Sequence, residues 1–547
     1  MYYICLYQHY CQTFVHKVFN VVINLTFGGL IMPLSLSFSI SNSVTQEEWE
    51  KVYEKTLFLA EKLNLADWNK FYYRGIRAEA FCTVKEQKEK EYGEVNYYWK
   101  SNSEYNLMLP GAMFRLRRKL KYYKFNKDSG PAILNSMDVY LTGNHSDRFS
   151  DQTTSMLYIE NIGGAYHVRL LAILCFIESK LKEKIFIGGD IDFSECKDAV
   201  ELANKFLDEP INELPARCDY RRLYEIIQKL DISDNDKIYL MERTYLGEID
   251  INYKNFIEQK FGKTVIKKFW KNRFSGCNDI NDSNFEFKIH KYLTYGFSFK
   301  DLLSYIPFSI EKENLSKFLE IILSTYTTDN RISRILGITR NPKDNNIRGI
   351  PTVFYNSLYG KDVNILNDYP TLDDLVNGLT KYFDDEITIR KILKEHITDE
   401  EEDQFITRVK KSLEEDDYYS TQSKQYDIFL SYYLLEYRTG DKLSPYLMKE
   451  IKTTLSKCKK SLDDEEFKEL EGKEITEQIY ELIDLKPYFP VRDIDWRHAI
   501  DYFHTHSDAL KRYYPLFCLS FEYFSATPHI AKALFINDEF YEFCKSL

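Results

Sequence analysis

The chain of 547 residues is 44% hydrophobic and 29% charged, with a formal net charge of −11. Those values exclude an intrinsically disordered chain, and the acidic balance argues against indiscriminate binding of nucleic acid while leaving local basic patches open. The ten cysteines include no C-x-x-C pair and no short-range pairing, which excludes a disulfide scaffold and fits a reducing, cytoplasmic compartment.

Residues 1–31 lack the periodicity of a helix or a strand. The uncharged run Val18 to Gln46 is interrupted by Asn20, Asn24, Thr26 and the Gly28-Gly29 pair, and its only nearby cation is Lys17. A membrane-spanning helix needs about 20 predominantly apolar residues, so an anchor is the weakest reading and a signal peptide the second. The preferred reading is a mis-annotated leader with translation starting at Met32. Gly28-Gly29 can be encoded GGAGGN, a ribosome-binding sequence suitably spaced before an ATG, as in a bacterial gene. A start at Met32 implies no association with a membrane.

From Pro33 the pattern becomes regular. Leu34, Leu36, Phe38 and Ile40 alternate with serines over residues 34–41, the period of a half-buried strand. Thr45-Gln-Glu-Glu48 is a capping box, and Trp49, Val52, Tyr53, Thr56, Ala60 and Leu63 mark one face of the helix it opens. "IRAEAFCTV" (76–84), "ILNSMDVYL" (133–141) and "TSMLYIE" (154–160) are strand candidates. Residues 165–181 are apolar all round except at Arg169, which predicts a buried helix. "KIFIGG" (184–189) then reads as a short strand and residues 192–207 as an amphipathic helix. Residues 32–210 are therefore expected to form an α+β or α/β domain, closed by the linker around Pro210 and Pro215.

Helices dominate after Asp219, the N-cap of a helix with Leu223, Ile226, Ile227 and Leu230 on its stripe. "FLEIILSTY" (318–326), "LDDLVNGLTKYF" (372–383), "QYDIFLSYYLLEYR" (425–438) and the last fifty residues have the same spacing. The loop 339–351 divides this predominantly α-helical C-terminal region into domains at 216–345 and 346–547. No fixed repeat period emerges.

The most site-like stretch is Gly188 to Cys196. Asp190 and Asp192 sit where a strand gives way to a helix, a usual address of α/β active sites, and Cys196 lies in the first helical turn, where a thiolate is stabilised. His167 could serve Cys196 as a base if the two helix starts meet. Asp190, Asp192, Cys196 and His167 are thus the candidate catalytic residues. The competing reading is structural and carries more weight, because Asp192-Phe-Ser-Glu195 is itself a capping box.

Cations interleave with aromatics at 114–127, where Arg115, Arg117, Arg118, Lys119 and Lys121 are the candidate nucleic-acid contacts, and again at 260–273. A solvated basic face is the ordinary alternative, and acidic runs at 398–403 and 414–417 could offset it. His498, His504 and His506 lie among Asp495, Asp501 and Asp508, but the spacing lacks a second ligand pair, so no metal is expected. No P-loop, dinucleotide-binding turn, nucleophile elbow or kinase signature occurs, and no cofactor is implied. The 43 tyrosines suit interfaces as well as cores. The sequence points first to a cytosolic macromolecule-binding or regulatory protein, whose partner is another protein before nucleic acid. A hydrolase or transferase at 188–196 comes second, and nucleic-acid binding through 115–127 third.

Overall fold

The computed structural model describes residues 34–106, 112–124, 153–324, 357–358, 372–397, 435–485, 490–519 and 526–547, apart from isolated positions within these spans. The leader, the strand expected at 133–141, the loop 339–351, both acidic runs and most of the helix expected at 425–438 lie outside them. The N-terminal region is built of small sheets with helices, and from about residue 166 the chain is almost entirely helical. Among the described residues every pair of strands is antiparallel, so the N-terminal architecture is α+β.

Two compact units interleave along the sequence. Among the described residues, one comprises those within Met32–Ile226, Thr244–Leu246 and Asp416–Leu547, the other those within Ile227–Arg243 and Gly247–Glu415. In the first unit β1 (Leu34–Ser41) is the middle strand of a sheet, flanked by β8 (Thr153–Ile162) and β9 (Ile185–Gly189). Leu36, Phe38 and Ile40 are buried, as the alternation requires. Helix α1 (Gln46–Lys62) opens on the complete Thr45–Glu48 capping box. It buries Trp49, whose indole N–H donates to the carbonyl of Arg117 at 3.0 Å.

The hairpin β2 (Leu65–Tyr73) and β3 (Ile76–Thr83) pairs with the short β6 (Ser103–Glu104), while β4 (Gln87–Glu91), β5 (Glu94–Ser101) and β7 (Phe114–Arg117) form a third sheet. Strand β8 (Thr153–Ile162) leads to α2 (Gly164–Lys180), then β9 (Ile185–Gly189) to α3 (Phe193–Asn204). Helix α2 is apolar all round because it is surrounded: every residue from Leu170 to Ile177 is buried. Its one internal cation, Arg169, donates from Nε to the carbonyl of Leu63 at 2.8 Å and lies 3.4 Å from the buried Glu104 carboxylate, satisfying a charge that could not be buried alone.

Helix α4 (Tyr220–Gln228) follows, and the other unit contains most of α5 (Asp234–Thr244) with α6 (Ile251–Phe261), α7 (Lys263–Phe274), α8 (Ser283–Thr294), α9 (Phe299–Tyr305), α10 (Lys312–Ser324), α11 (Leu372–Leu379) and α12 (Glu386–Ile397). Its core is aromatic. The Trp270 ring lies 5.1, 5.7 and 5.9 Å from those of Tyr292, Tyr295 and Phe297, in edge-to-face arrangements favoured by the ring quadrupoles. Part of the tyrosine excess therefore serves packing.

The C-terminal helices are α13 (Pro445–Ser461), α14 (Glu465–Glu471), α15 (Ile475–Leu485), α16 (Asp493–Thr505), α17 (Ala509–Cys518), α18 (Thr527–Ile536) and α19 (Asp538–Lys545). They share a core with Phe71, Ile76, Ala78, Ala80 and Cys82 of the β2–β3 hairpin. Polar contacts reinforce it: Phe81 N–H donates to the Val491 carbonyl at 2.9 Å, and the Tyr73 hydroxyl and Arg74 guanidinium both reach Asp501 at 2.9 Å.

Candidate functional site

Two close approaches shape the turn from β9 into α3. Gly189 has a φ of +103°, and a Cβ there would stand 2.4 Å from the Ser35 carbonyl oxygen; one at Gly188 would meet Ser37 Oγ at 2.5 Å. Only glycine lets β9 run so tightly along β1. The carboxylate of Asp190 accepts from the amide and the hydroxyl of Ser35, both at 2.8 Å, tying the end of β9 to β1. Asp192 is the N-cap of α3: its carboxylate accepts from the Glu195 amide at 2.8 Å, and the Glu195 carboxylate accepts from the Asp192 amide at 3.1 Å. Both candidate carboxylates hold backbone amides.

His167 stands near the start of α2, 1% exposed. Among the described residues neither ring nitrogen has a hydrogen-bond partner, and Nε2 lies 3.9 Å from the Glu195 carboxylate. Burial pushes the His167 pKa down. Burial and then the neighbouring Asp192 charge push the Glu195 carboxyl up to about 7. Cys196, fully buried, has the thiols of Cys175 of α2 and Cys218 of the 3-10 turn Ala216–Cys218 as neighbours. Those two contacts, with the Arg217 guanidinium nearby, hold the Cys196 thiol down. Burial pushes Cys175 up, and the neighbouring Cys196 does the same for Cys218.

The fold thus brings His167, Asp190, Asp192 and Cys196 within electrostatic reach of one another. However, the thiol lies among two other buried thiols, and both it and the imidazole are closed to solvent. A nucleophile needs a base within hydrogen-bond reach and a path for substrate.

The basic stretch at 115–121 is dense in partners. Arg118 lies 3.1 Å from Glu86, 3.2 Å from Glu50 and 3.4 Å from Glu54. Arg115 pairs with Glu89, Lys121 with Glu94, and Lys119 approaches Glu94 at 3.7 Å. Arg117 lies over the ring of Tyr122. Glutamates of α1, β4 and β5 therefore neutralise most of this stretch from within the chain. In the second stretch, Lys267 pairs with Asp301 and Arg273 with the buried Glu242.

The C-terminal histidines also part company. His498 contacts Asp538 at 3.1 Å, His506 stacks on Tyr502 at 3.8 Å, and His504 is exposed. Asp495 is held by Arg492 and Asp508 by Lys545. Among the described residues no group of three or more His, Cys, Asp or Glu is placed to hold a metal ion.

Helix α13 differs from all of these. Its N-cap Ser444 accepts from the Leu447 amide at 3.1 Å, and Leu447 and Ile451 face the core. The outward stripe contains Lys449, Lys452, Thr453, Ser456, Lys457 and Lys460, lining an open groove of about 670 Å³ together with Pro445 and Met448. All four lysines are exposed, and among the described residues none has a carboxylate within 4.0 Å. Lys449–Lys452 and Lys457–Lys460 are like-charge pairs at i, i+3, which oppose helix formation. Lys449 and Lys452 also stand in the N-terminal half, the end of the dipole that favours anions. Helix stability does not account for them. Sequence reasoning missed this stripe although its i, i+3, i+8, i+11 lysine spacing was visible, because density of cations drew attention to 115–127 first.

No family model, no curated protein and no solved structure matches this chain.

Proposed function

We propose that this chain is a macromolecule-binding protein that docks a negatively charged partner on the lysine face of α13. The observation that carries this reading is the row of exposed lysines along one groove, without carboxylate partners among the described residues, whereas most cations of the 115–121 stretch are paired with glutamates of the same chain. Fixed cations in a shared groove raise the local concentration of anions and steer their approach. Full burial of Cys196 and His167, and the structural use of Asp190 and Asp192, weigh against the alternative of a hydrolase or transferase at 188–196. All eight described cysteines are free thiols, which supports a reducing, cytosolic setting. Among the described residues no helix is long and apolar enough to cross a membrane.

The test is retention of the full chain on immobilised heparin, a generic polyanion, at low ionic strength. The wild-type protein is expected to bind and to elute with salt. Lys452→Glu with Lys457→Glu should elute at much lower salt, whereas Lys119→Gln with Lys121→Gln should leave elution unchanged. Equal elution of all three proteins would reject the α13 site.

A further inference from the structure

Resting on that reading, we infer that the anionic partner of the α13 groove is the phosphate backbone of duplex nucleic acid, bound without sequence preference. The composition of the groove narrows the choice. Protein interfaces are enriched in aromatic residues and arginine and depleted in lysine at their centres; the α13 lining has four lysines and neither an arginine nor an aromatic ring. An anionic membrane would take up an amphipathic helix by its apolar face, but Leu447 and Ile451, on the apolar face of α13, are 4% and 0% exposed within the core. Single-stranded nucleic acid is held by bases stacking on aromatic rings beside a basic groove, and this lining provides no such platform.

What the groove does provide suits a regular row of phosphates. Lys449 and Lys460 are eleven residues apart on one helix, about 16 Å at 1.5 Å per residue. Successive phosphates of one duplex strand advance about 3.4 Å along the axis, so the stripe spans roughly five of them. Thr453 and Ser456 lie between the lysines, and their hydroxyls can donate to phosphate oxygens in the manner of backbone-positioning contacts. Lysine ammonium groups act as flexible point charges, which neutralise phosphates without reading bases.

The experiment measures binding of the full chain to fluorescently labelled DNA and RNA duplexes of about 24 base pairs across a salt series. Single strands of the same length and anionic lipid vesicles serve as competing probes. Four lysine–phosphate contacts predict a log–log salt slope of about −3.6 and a loss of about a hundredfold between 50 and 200 mM salt. Lys452→Glu with Lys457→Glu should at least halve that slope and weaken binding more than tenfold, with unchanged thermal melting showing that the fold survives. Scrambling the duplex sequence should change nothing. Retention on heparin without duplex binding would overturn the nucleic-acid assignment and leave the anionic-partner reading standing; loss of both would overturn both. Tighter binding to single strands or to vesicles than to duplex would likewise reject the duplex assignment.

Discussion

Residues 115–121 and helix α13 carry cations at similar density, yet the chain surrounds them in opposite ways. Arg118 sits among three glutamates contributed by α1 and by the segment leading into β4, while Lys449, Lys452, Lys457 and Lys460 face an open groove. Exposed ion pairs contribute little to stability individually, but a cation held by several carboxylates at once is no longer available to an outside anion. The difference teaches that a basic stretch stays available to an outside anion only where the tertiary fold withholds its counter-charges. The same distinction separates the carboxylates of the 188–196 turn, both hydrogen-bonded to backbone amides, from carboxylates free to act on a substrate.

The largest effect that would sharpen this contrast is expected from Arg118→Glu. The substitution removes three attractions and places a fourth carboxylate among Glu50, Glu54 and Glu86. It should destabilise the protein by about 2 kcal/mol in urea denaturation and leave heparin retention unchanged. The α13 double reversal should do the opposite, weakening retention strongly while sparing stability, because it turns two like-charge i, i+3 pairs into attractive ones. An Arg118→Glu variant that kept its stability but lost retention would break the comparison.

A smaller effect is expected at Asp192, which completes the capping box of α3. Asp192→Ala should cost about 1 kcal/mol, measured by the same denaturation, and Asp192→Ser should be nearly neutral because serine also caps. Equal losses for both variants would show that the carboxylate charge matters beyond the cap and would revive a chemical role for this turn.

The smallest effect concerns pH. Hydrogen bonding to Lys121, with its charge, lowers the pKa of Glu94 below the usual glutamate value. A depressed carboxylate stabilises the fold above its unfolded pKa, and that contribution is lost as pH falls through the lower folded value. The difference in melting temperature between wild type and Glu94→Gln should therefore be small and constant near neutrality. It should decline only below the ordinary glutamate range. A difference that vanished already at pH 6 would mean that the Glu94–Lys121 pair does not hold the charges as described.

Local regularities carried much of the architecture. The alternation at 34–41, the capping boxes at Thr45 and Asp192 and the all-round apolar helix at 165–181 each follow from interactions between residues close in sequence, and all were readable there. The division into a strand-containing N-terminal region and a helical remainder follows from the same periodicities. The choice between α+β and α/β did not, since strand direction depends on which strands pair, as when β1 takes β8 on one side and β9 on the other.

The candidate site divides in the same way. The sequence was enough to establish that Asp192 and Glu195 can cap a helix, since three residues of spacing bring their side chains to each other's amides. It was also enough to place four lysines along one stripe of α13. Tertiary structure alone decided that Cys196 meets Cys175 and Cys218 in the core, that C-terminal helices share a core with the β2–β3 hairpin, and that glutamates distant in sequence neutralise Arg118. The physical reason is that helix periodicity and capping act over a few residues, whereas burial, thiol contacts and counter-charges depend on segments that only folding brings together.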